Sequence, residues 1–428
     1  MTSAFAPITA LLASVAILLA GNGLQGTLLP VRAQIEQFGT PAIGALGSSY
    51  YIGFALGCLL GAHLLRRAGH IRVFTAMASI ASAAALAHAM ILSPVAWWFL
   101  RGTTGFCFAV LYMVIESWLN ERSTSETRGV VLSVYLIINL TVITLGQLMV
   151  VLYDPAGFAS FALASILVSL AAVPVAMTSA AAPRPVETVH VRIFRLYTLS
   201  PVGFVACVVV GLTNGSFWSL GPVFAQQVGL DLTGVAVFMS ITVIAGAIGQ
   251  WPLGRLSDRT DRRNVIILTC LGAAFAAALL SLSLGRWELG YYVGTVLYGL
   301  FSFPIYAIAV AHTNDFVSKD EFVEAASGLL LLFGAGAALG PILAALGMDA
   351  FGPVGLYMFT AVVHAFMVGF ALWRRHVRAI PPAEERTGFL EALEAAATVS
   401  PTFELEALHE AQARETERPA PAHDRAQD

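Results

Sequence analysis

Gly254-Arg255-Leu256-Ser257-Asp258-Arg259-Thr260-Asp261-Arg262-Arg263 is the stretch that decides how this chain folds. Most of it is charged, and apolar runs of about twenty residues flank it on both sides, long enough to cross a bilayer as helices. It reads as a short charged hairpin between two membrane helices. A degraded copy, Ala-His-Leu-Leu-Arg-Arg-Ala-Gly-His-Ile-Arg, occupies residues 62–72, so that Arg67 and Arg259 stand 192 residues apart (259 − 67 = 192). The same offset relates Asn22-Gly23 to Asn214-Gly215, Pro30-Val31 to Pro222-Val223, and Gly102-Thr103 to Gly294-Thr295. One offset shared by separated stretches marks two homologous halves in tandem.

The composition agrees. Of 428 residues, 57% are hydrophobic and 11% charged, against roughly 25% charged in soluble domains. The chain reads as a polytopic membrane protein, and runs of about twenty residues rather than ten select helices over a barrel. The basic residues are 22 arginines and one lysine, Lys319, which follows Val317-Ser318. A phosphate-binding loop needs its lysine after glycines, so the sequence shows no such loop, which tells against an ATP-driven pump. Cys58, Cys107, Cys207 and Cys270 fall singly within apolar runs and read as packing residues, small hydrophobes rather than redox or metal groups. No cofactor and no metal site is expected. The apolar N-terminus lacks a basic leader and a cleavage signal and reads as a retained first helix.

The spacing predicts twelve helices at roughly 8–30, 41–63, 72–92, 95–120, 128–151, 155–178, 200–226, 232–254, 264–284, 289–313, 324–347 and 353–374. The implied domains are an N-terminal six-helix bundle at 1–178, a polar link at 179–199, a second bundle at 200–378, and a tail at 379–428. With both termini inside, sixteen basic residues fall in cytoplasmic loops, among them Arg66, Arg67, Arg128, Arg259 and Lys319, against Arg32, Arg101 and Arg286 elsewhere. That bias fixes the orientation by the positive-inside rule. Residues 381–428 hold eleven acids against four arginines and read as a mostly disordered, solvated tail, with docking or regulation as the alternative.

The pattern Gly254, Asp258, Arg259, Arg262, Arg263 between the second and third helices of a half resembles the loop signature of the major facilitator superfamily. Arg101-Gly102-Thr103-Thr104-Gly105 resembles its helix 4 signature, and residues 116–129 resemble poorly characterised bacterial members. The resemblance covers residues 1–378. It implies an all-α integral membrane fold of two pseudo-symmetric six-helix bundles that rock about a midplane site by alternating access. There are departures. Asp261 takes the usual second-glycine slot, Ala62 and Arg66 replace the glycine and aspartate in the first copy, and helix 5 carries Leu145-Gly146-Gln147 where many proton-antiporting drug exporters have Gly-Pro. The last departure tells against antiport.

An ionisable residue inside hydrocarbon is a candidate functional group. Arg101 heads a helix 4 stripe with Thr104, Phe108 and Tyr112 and faces either a cavity or the outer headgroups. Glu116 lies about 22 Å further along, as a protonatable group or an interfacial one. Asn22, Gln25, Asn139, Gln147, Asn214 and Trp218 supply uncharged groups. The resemblance places helices 1 and 7 on the cavity, which would bring repeat-related Asn22 and Asn214 to face it together; helix–helix hydrogen bonding is the competing reading. His88, His312 and His364 read as packing residues.

In the resembled fold each half's loop meets the cytoplasmic start of a helix in the other half. This predicts two charge-swapped locks, Asp258 with Arg128 and Arg66 with Asp320, in which Glu321 or Glu324 can replace Asp320. The functional expectation is a secondary transporter for a small organic solute, neutral or monoanionic, with a proton as candidate coupling ion. It is not an enzyme, binds no nucleic acid, and sits as a monomer in the bilayer of the cytoplasmic membrane. The alternative is a non-transporting receptor or scaffold that uses the acidic tail.

Overall fold

The structure is a computed structural model that describes residues 9–122, 128–177, 189–283, 288–318, 321–377, 388–389 and 403–405. The first half comprises α1 (Thr9–Ile35), α2 (Thr40–Ala68), α3 (His70–Met90), α4 (Pro94–Arg122), α5 (Arg128–Leu148) and α6 (Ala159–Ala176). The second comprises α7 (Pro201–Gln227), α8 (Leu232–Arg259), α9 (Arg262–Ser283), α10 (Glu288–Asn314, interrupted), α11 (Phe322–Phe351) and α12 (Val354–Val377). Among the described residues eleven helices are long and apolar enough to cross a membrane, and the twelfth, α5, contributes a shorter apolar stretch, Ile137–Leu152. Large apolar side chains such as Leu60, Phe275, Val362 and Phe366 are exposed on the outer faces, as a hydrocarbon surround requires.

The interruptions have local causes. α6 breaks at Ala171, ahead of Pro174, and α10 breaks at Phe303-Pro304; each proline lacks the N–H that would continue the helical ladder. α5 tightens into a 3-10 turn over Met149–Leu152. Polar caps mark other starts. The Asp231 carboxylate accepts the Gly234 N–H at 2.8 Å and the Ser200 hydroxyl accepts the Gly203 N–H at 3.3 Å, satisfying donors that a helix start leaves free.

Three expectations change. The charged stretch at 254–263 is not a hairpin loop: α8 runs on to Arg259, leaving Thr260 and Asp261 between it and α9. α2 likewise runs to Ala68, and Gly69 alone, at φ +82°, makes the turn into α3. Arginines in the last turn suit the helix dipole, so leaving the hydrocarbon does not end the helix. A short parallel pair also appears outside the helices, β1 (Val189–Val191) with β2 (Phe403–Leu405). Those link and tail residues, together with Phe389, are therefore placed on the body of the protein.

The apolar core is divided unequally along the long axis. At the end that carries Asp154, Asp231 and Asp349, one continuous cluster takes in both halves, from Leu28, Ile43 and Trp97 to Phe224, Tyr298 and Tyr357. At the arginine-rich end each half has its own cluster, around Phe74 and Phe108 in the first and Cys207 and Ile308 in the second. A small satellite, where Leu331 and Ile193 pack on Cys58 and Ala109, touches both. The fused end is built on close backbone approach. A Cβ added at Gly44 of α2 would strike the Pro341 carbonyl and Ala345 of α11, and one added at Gly47 would strike Ser219 of α7.

Candidate functional site

Between the halves lies a chamber of about 170 Å³ whose walls include Asn22, Tyr50, Tyr51, Arg101, Gln147 and Trp218. A second chamber, of about 290 Å³, shares Tyr50, Tyr51 and Trp218 and adds Phe54, Cys58, Tyr112, Leu331 and Phe333. Gly105 places the cation. A side chain there would strike the Tyr50 carbonyl, so glycine lets α4 lie directly on α2. Arg101, one turn earlier, then reaches over the Tyr50 ring with its Cζ 4.3 Å from the centroid, a contact of ~0.5–2 kcal/mol. Its Nη1 is buried and has no hydrogen-bond partner among the described residues. Arg101 therefore sits on a chamber wall.

The other sequence candidates divide. The Asn22 amide donates to the Tyr112 hydroxyl at 3.4 Å, and Trp218 walls both chambers. Gln147 is buried with its Oε1 unpartnered among the described residues. Gln25 is also buried without a described partner, but on neither chamber wall. Thr104 turns its hydroxyl back to the Leu100 carbonyl and Phe108 packs in the first-half core. Glu116 is 5% exposed, one turn beyond Tyr112. Asn214 departs from the expectation that it faces the cavity with Asn22: its Oδ1 accepts from the Ser302 hydroxyl at 3.2 Å inside the second half. Asn139 is half-buried on α5. His88 and His364 hydrogen-bond backbone carbonyls one turn back, at 2.6 and 2.7 Å.

The signature stretch forms a second site at the arginine-rich end. Arg262 is almost wholly buried. It meets Asp315 at 2.9 Å and Asp258 at 3.3 Å, and donates to the Ser257 hydroxyl at 2.9 Å. Arg263 pairs with Asp261 at 2.9 Å. Burial works to raise the Asp261 carboxyl, but hydrogen bonds from the Arg263 side chain and backbone outweigh it and hold the group below the usual carboxylate range. The Asp258 carboxylate accepts the Phe389 N–H at 2.8 Å, and the Phe389 ring covers Gly254. Arg259 is exposed, as are Arg66 and Arg67 in the first-half copy. The proposed partners Arg128 (its side chain) and Asp320 lie outside the described residues. Glu321 and Glu324 pair with the link residues Arg192 and Arg195. Hydrogen bonds from Arg195 first, then Ser318, hold the Glu321 carboxyl below its usual range.

Sequence reading missed Tyr50, Asp315 and Phe389. Tyr50-Tyr51 had a signal, since the repeat puts Thr242-Val243 opposite it (242 − 192 = 50) and so marks an aromatic pair peculiar to one half. Asp315 opens a segment, 315–324, that holds four acids and one lysine at an end otherwise rich in arginine. Phe389 opens Phe389-Leu390-Glu391-Ala392-Leu393, which reads as a short amphipathic turn, but nothing in that stretch names Gly254 or Asp258 as its place of docking.

Comparison with known proteins agrees with this architecture. The family model described as Major Facilitator Superfamily matches residues 11–305 and 203–410. The chain belongs to that superfamily and is a multi-pass membrane transporter. It is 26% identical over 363 residues to "Uncharacterized MFS-type transporter YcaD" of Escherichia fergusonii, covering 83% of this chain and 93% of that one. It is 27% identical over 382 residues to an uncharacterized MFS-type transporter of Enterobacter sp. strain 638, covering 86% and 96%. Solved structures share the fold. The nucleoside transporter NupG aligns with a TM-score of 0.74 at 14% identity, covering 86% of this chain and 98% of that one. The D-xylose-proton symporter gives 0.64 at 14% identity, covering 89% and 99%.

Proposed function

We propose that this protein is a secondary active transporter that carries a small organic solute across the cytoplasmic membrane by alternating access, as a monomer with both termini in the cytoplasm. The observation that carries the reading is the unequal core: one apolar cluster fuses the halves at the acidic end, while separate clusters serve them at the arginine-rich end. Two bodies joined at one end of a central chamber are one member of a pair of states, and a ligand shifts the balance by binding one state better. In the opposite state, sealed at the arginine-rich end, Asp258 would meet Arg128 at the start of α5, and Arg66 would meet Asp320. Gly254, Arg259, Arg262, Arg263 and Arg67 would shape those contacts. A proton is the candidate coupling ion, and the D-xylose-proton symporter among the structural neighbours makes a pH gradient the first driving force to apply.

The test is solute flux in proteoliposomes. Replacing Gln34 and Gln227, whose side chains meet at 3.5 Å across the fused end and line neither chamber, by cysteines places two thiols there. Oxidation should stop flux and reduction restore it; flux indifferent to the cross-link sinks alternating access. Asp258→Arg should impair flux and Arg128→Asp partly restore it. Single cysteines at Asp154 and Asp349 should label from outside, and a tail that labels from the periplasm would invert the orientation.

A further inference from the structure

The two chambers, taken together, define a ligand class. Arg101 brings a fixed positive charge to the first chamber, and among the described residues no Asp or Glu lines either one. One face of its guanidinium lies on Tyr50 and Nη1 is buried without a described partner. A cation removed from water and left unpaired is unfavourable. A carboxylate restores the missing hydrogen bonds with charge assistance, and the planar guanidinium edge suits its geometry. Asn22, Gln147 and Ser219 share that chamber and offer further polar contacts. A second ligand cation would be repelled, and a dianion would meet half the countercharge it needs. The second chamber is different in kind. Its walls are Phe54, Tyr112, Leu330, Leu331 and Phe333, and three aromatic residues, Tyr50, Tyr51 and Trp218, belong to both chambers. Flat aromatic walls favour a flat apolar body.

We infer that the transported solute is an amphipathic monocarboxylate with an aromatic body, its carboxylate on Arg101 and its ring in the second chamber. The inference rests on the transporter reading, but its test does not need transport. Phenylacetate, phenylacetamide and phenethylamine share one body and carry charges of minus one, zero and plus one. Binding of each to the purified full-length protein is measured by calorimetry. Phenylacetate should bind about tenfold or more tighter than phenylacetamide, the difference expected of a charge-assisted contact, and phenethylamine should bind more weakly than either. Arg101→Gln should bring acid and amide within about twofold, and Trp218→Ala should weaken both together. Equal affinity of acid and amide for the wild-type protein overturns the inference, and so does acid preference retained in Arg101→Gln. The wild-type comparison holds even if a variant does not fold. Acid-selective binding without flux in proteoliposomes would overturn the transporter reading and leave the ligand class standing.

A separate observation concerns the tail. Phe389 is 4% exposed, its ring fills the space over Gly254, and its N–H occupies the Asp258 carboxylate. Asp258 is the group proposed to hold the opposite state. We propose that the docked tail is a brake: with Phe389 in place Asp258 is engaged, and the state fused at the acidic end is favoured. The probe is Ser219→Cys, buried at the fused end, in a background where the chamber-wall Cys58 is replaced by serine, labelled from outside with a membrane-impermeant maleimide; the other native cysteines are buried. Phe389→Ala and removal of residues 386–428 should each raise the labelling rate several-fold. Rates unchanged in both variants would overturn the brake.

Discussion

The α8–α9 turn and the α2–α3 turn descend from one repeat, and they now stand on different physics. In the second half, Arg262 is buried against Asp315, with side chains 1% and 4% exposed. The repeat puts His70 at the place of Arg262 (262 − 192 = 70) and Gly69 at that of Asp261 (261 − 192 = 69). The first-half turn therefore has no buried ion pair among its described residues; it turns on a single glycine, and its arginines are in water. A duplicated backbone thus keeps its path while one copy becomes a keystone and the other a solvated corner. Sequence likeness between the copies does not measure their energetic likeness.

The sharpest way to break this contrast is Asp315→Ala. It leaves the Arg262 guanidinium buried and without its closest carboxylate, and the expected loss is ~3–5 kcal/mol, read as a lowered denaturation midpoint in detergent. Loss comparable to that of a surface substitution would remove the keystone. Next comes Arg262→Met with Asp315→Leu. Exchanging a buried pair for apolar side chains is often neutral, so the double variant should recover most of that stability. If it stays as unstable as the single variant, the pair does more than balance its own burial. A third effect is pH-dependent. The Asp261 carboxyl is held below its usual range by Arg263, so its contribution is complete above the unfolded carboxylate value of about 3.9 and is lost as pH falls through the lower folded value. Asp261→Asn should flatten the acid limb of a stability-against-pH curve; an unchanged limb assigns it to other carboxylates. Smallest is Arg66→Ala, expected to move the melting temperature by about a degree or less. A larger drop would give the first-half turn a structural role that its exposure hides.

What was legible in the sequence follows from which forces are periodic. The constant offset, the apolar runs and the arginine bias are properties of the chain itself, and they yielded the fold and its two halves. The extent of α8 was misread because charge was taken to end a helix, whereas Arg255 to Arg259 only leave the hydrocarbon. Asn22 and Asn214 show the other limit. The repeat predicts equivalent positions, but Ser302, which holds Asn214, has Val110 as its counterpart (302 − 192 = 110). Asn22 is thereby left to Tyr112 on the chamber wall. Such partners belong to tertiary packing, as does the Tyr50 ring beneath Arg101, and no spacing rule within one helix reveals them.

Arg101 also has an electrical consequence. It places a unit charge on a chamber wall that, among the described residues, offers no Asp or Glu to balance it, within the part of the protein where the membrane field acts. Work on one elementary charge is about 2.3 kcal/mol per 100 mV. An empty carrier that reorients with Arg101 shifts that charge within the field, whereas a carrier loaded with a monoanion shifts almost none. The resting potential then acts on the unloaded return rather than on the loaded crossing, so turnover would vary with voltage most when solute is scarce.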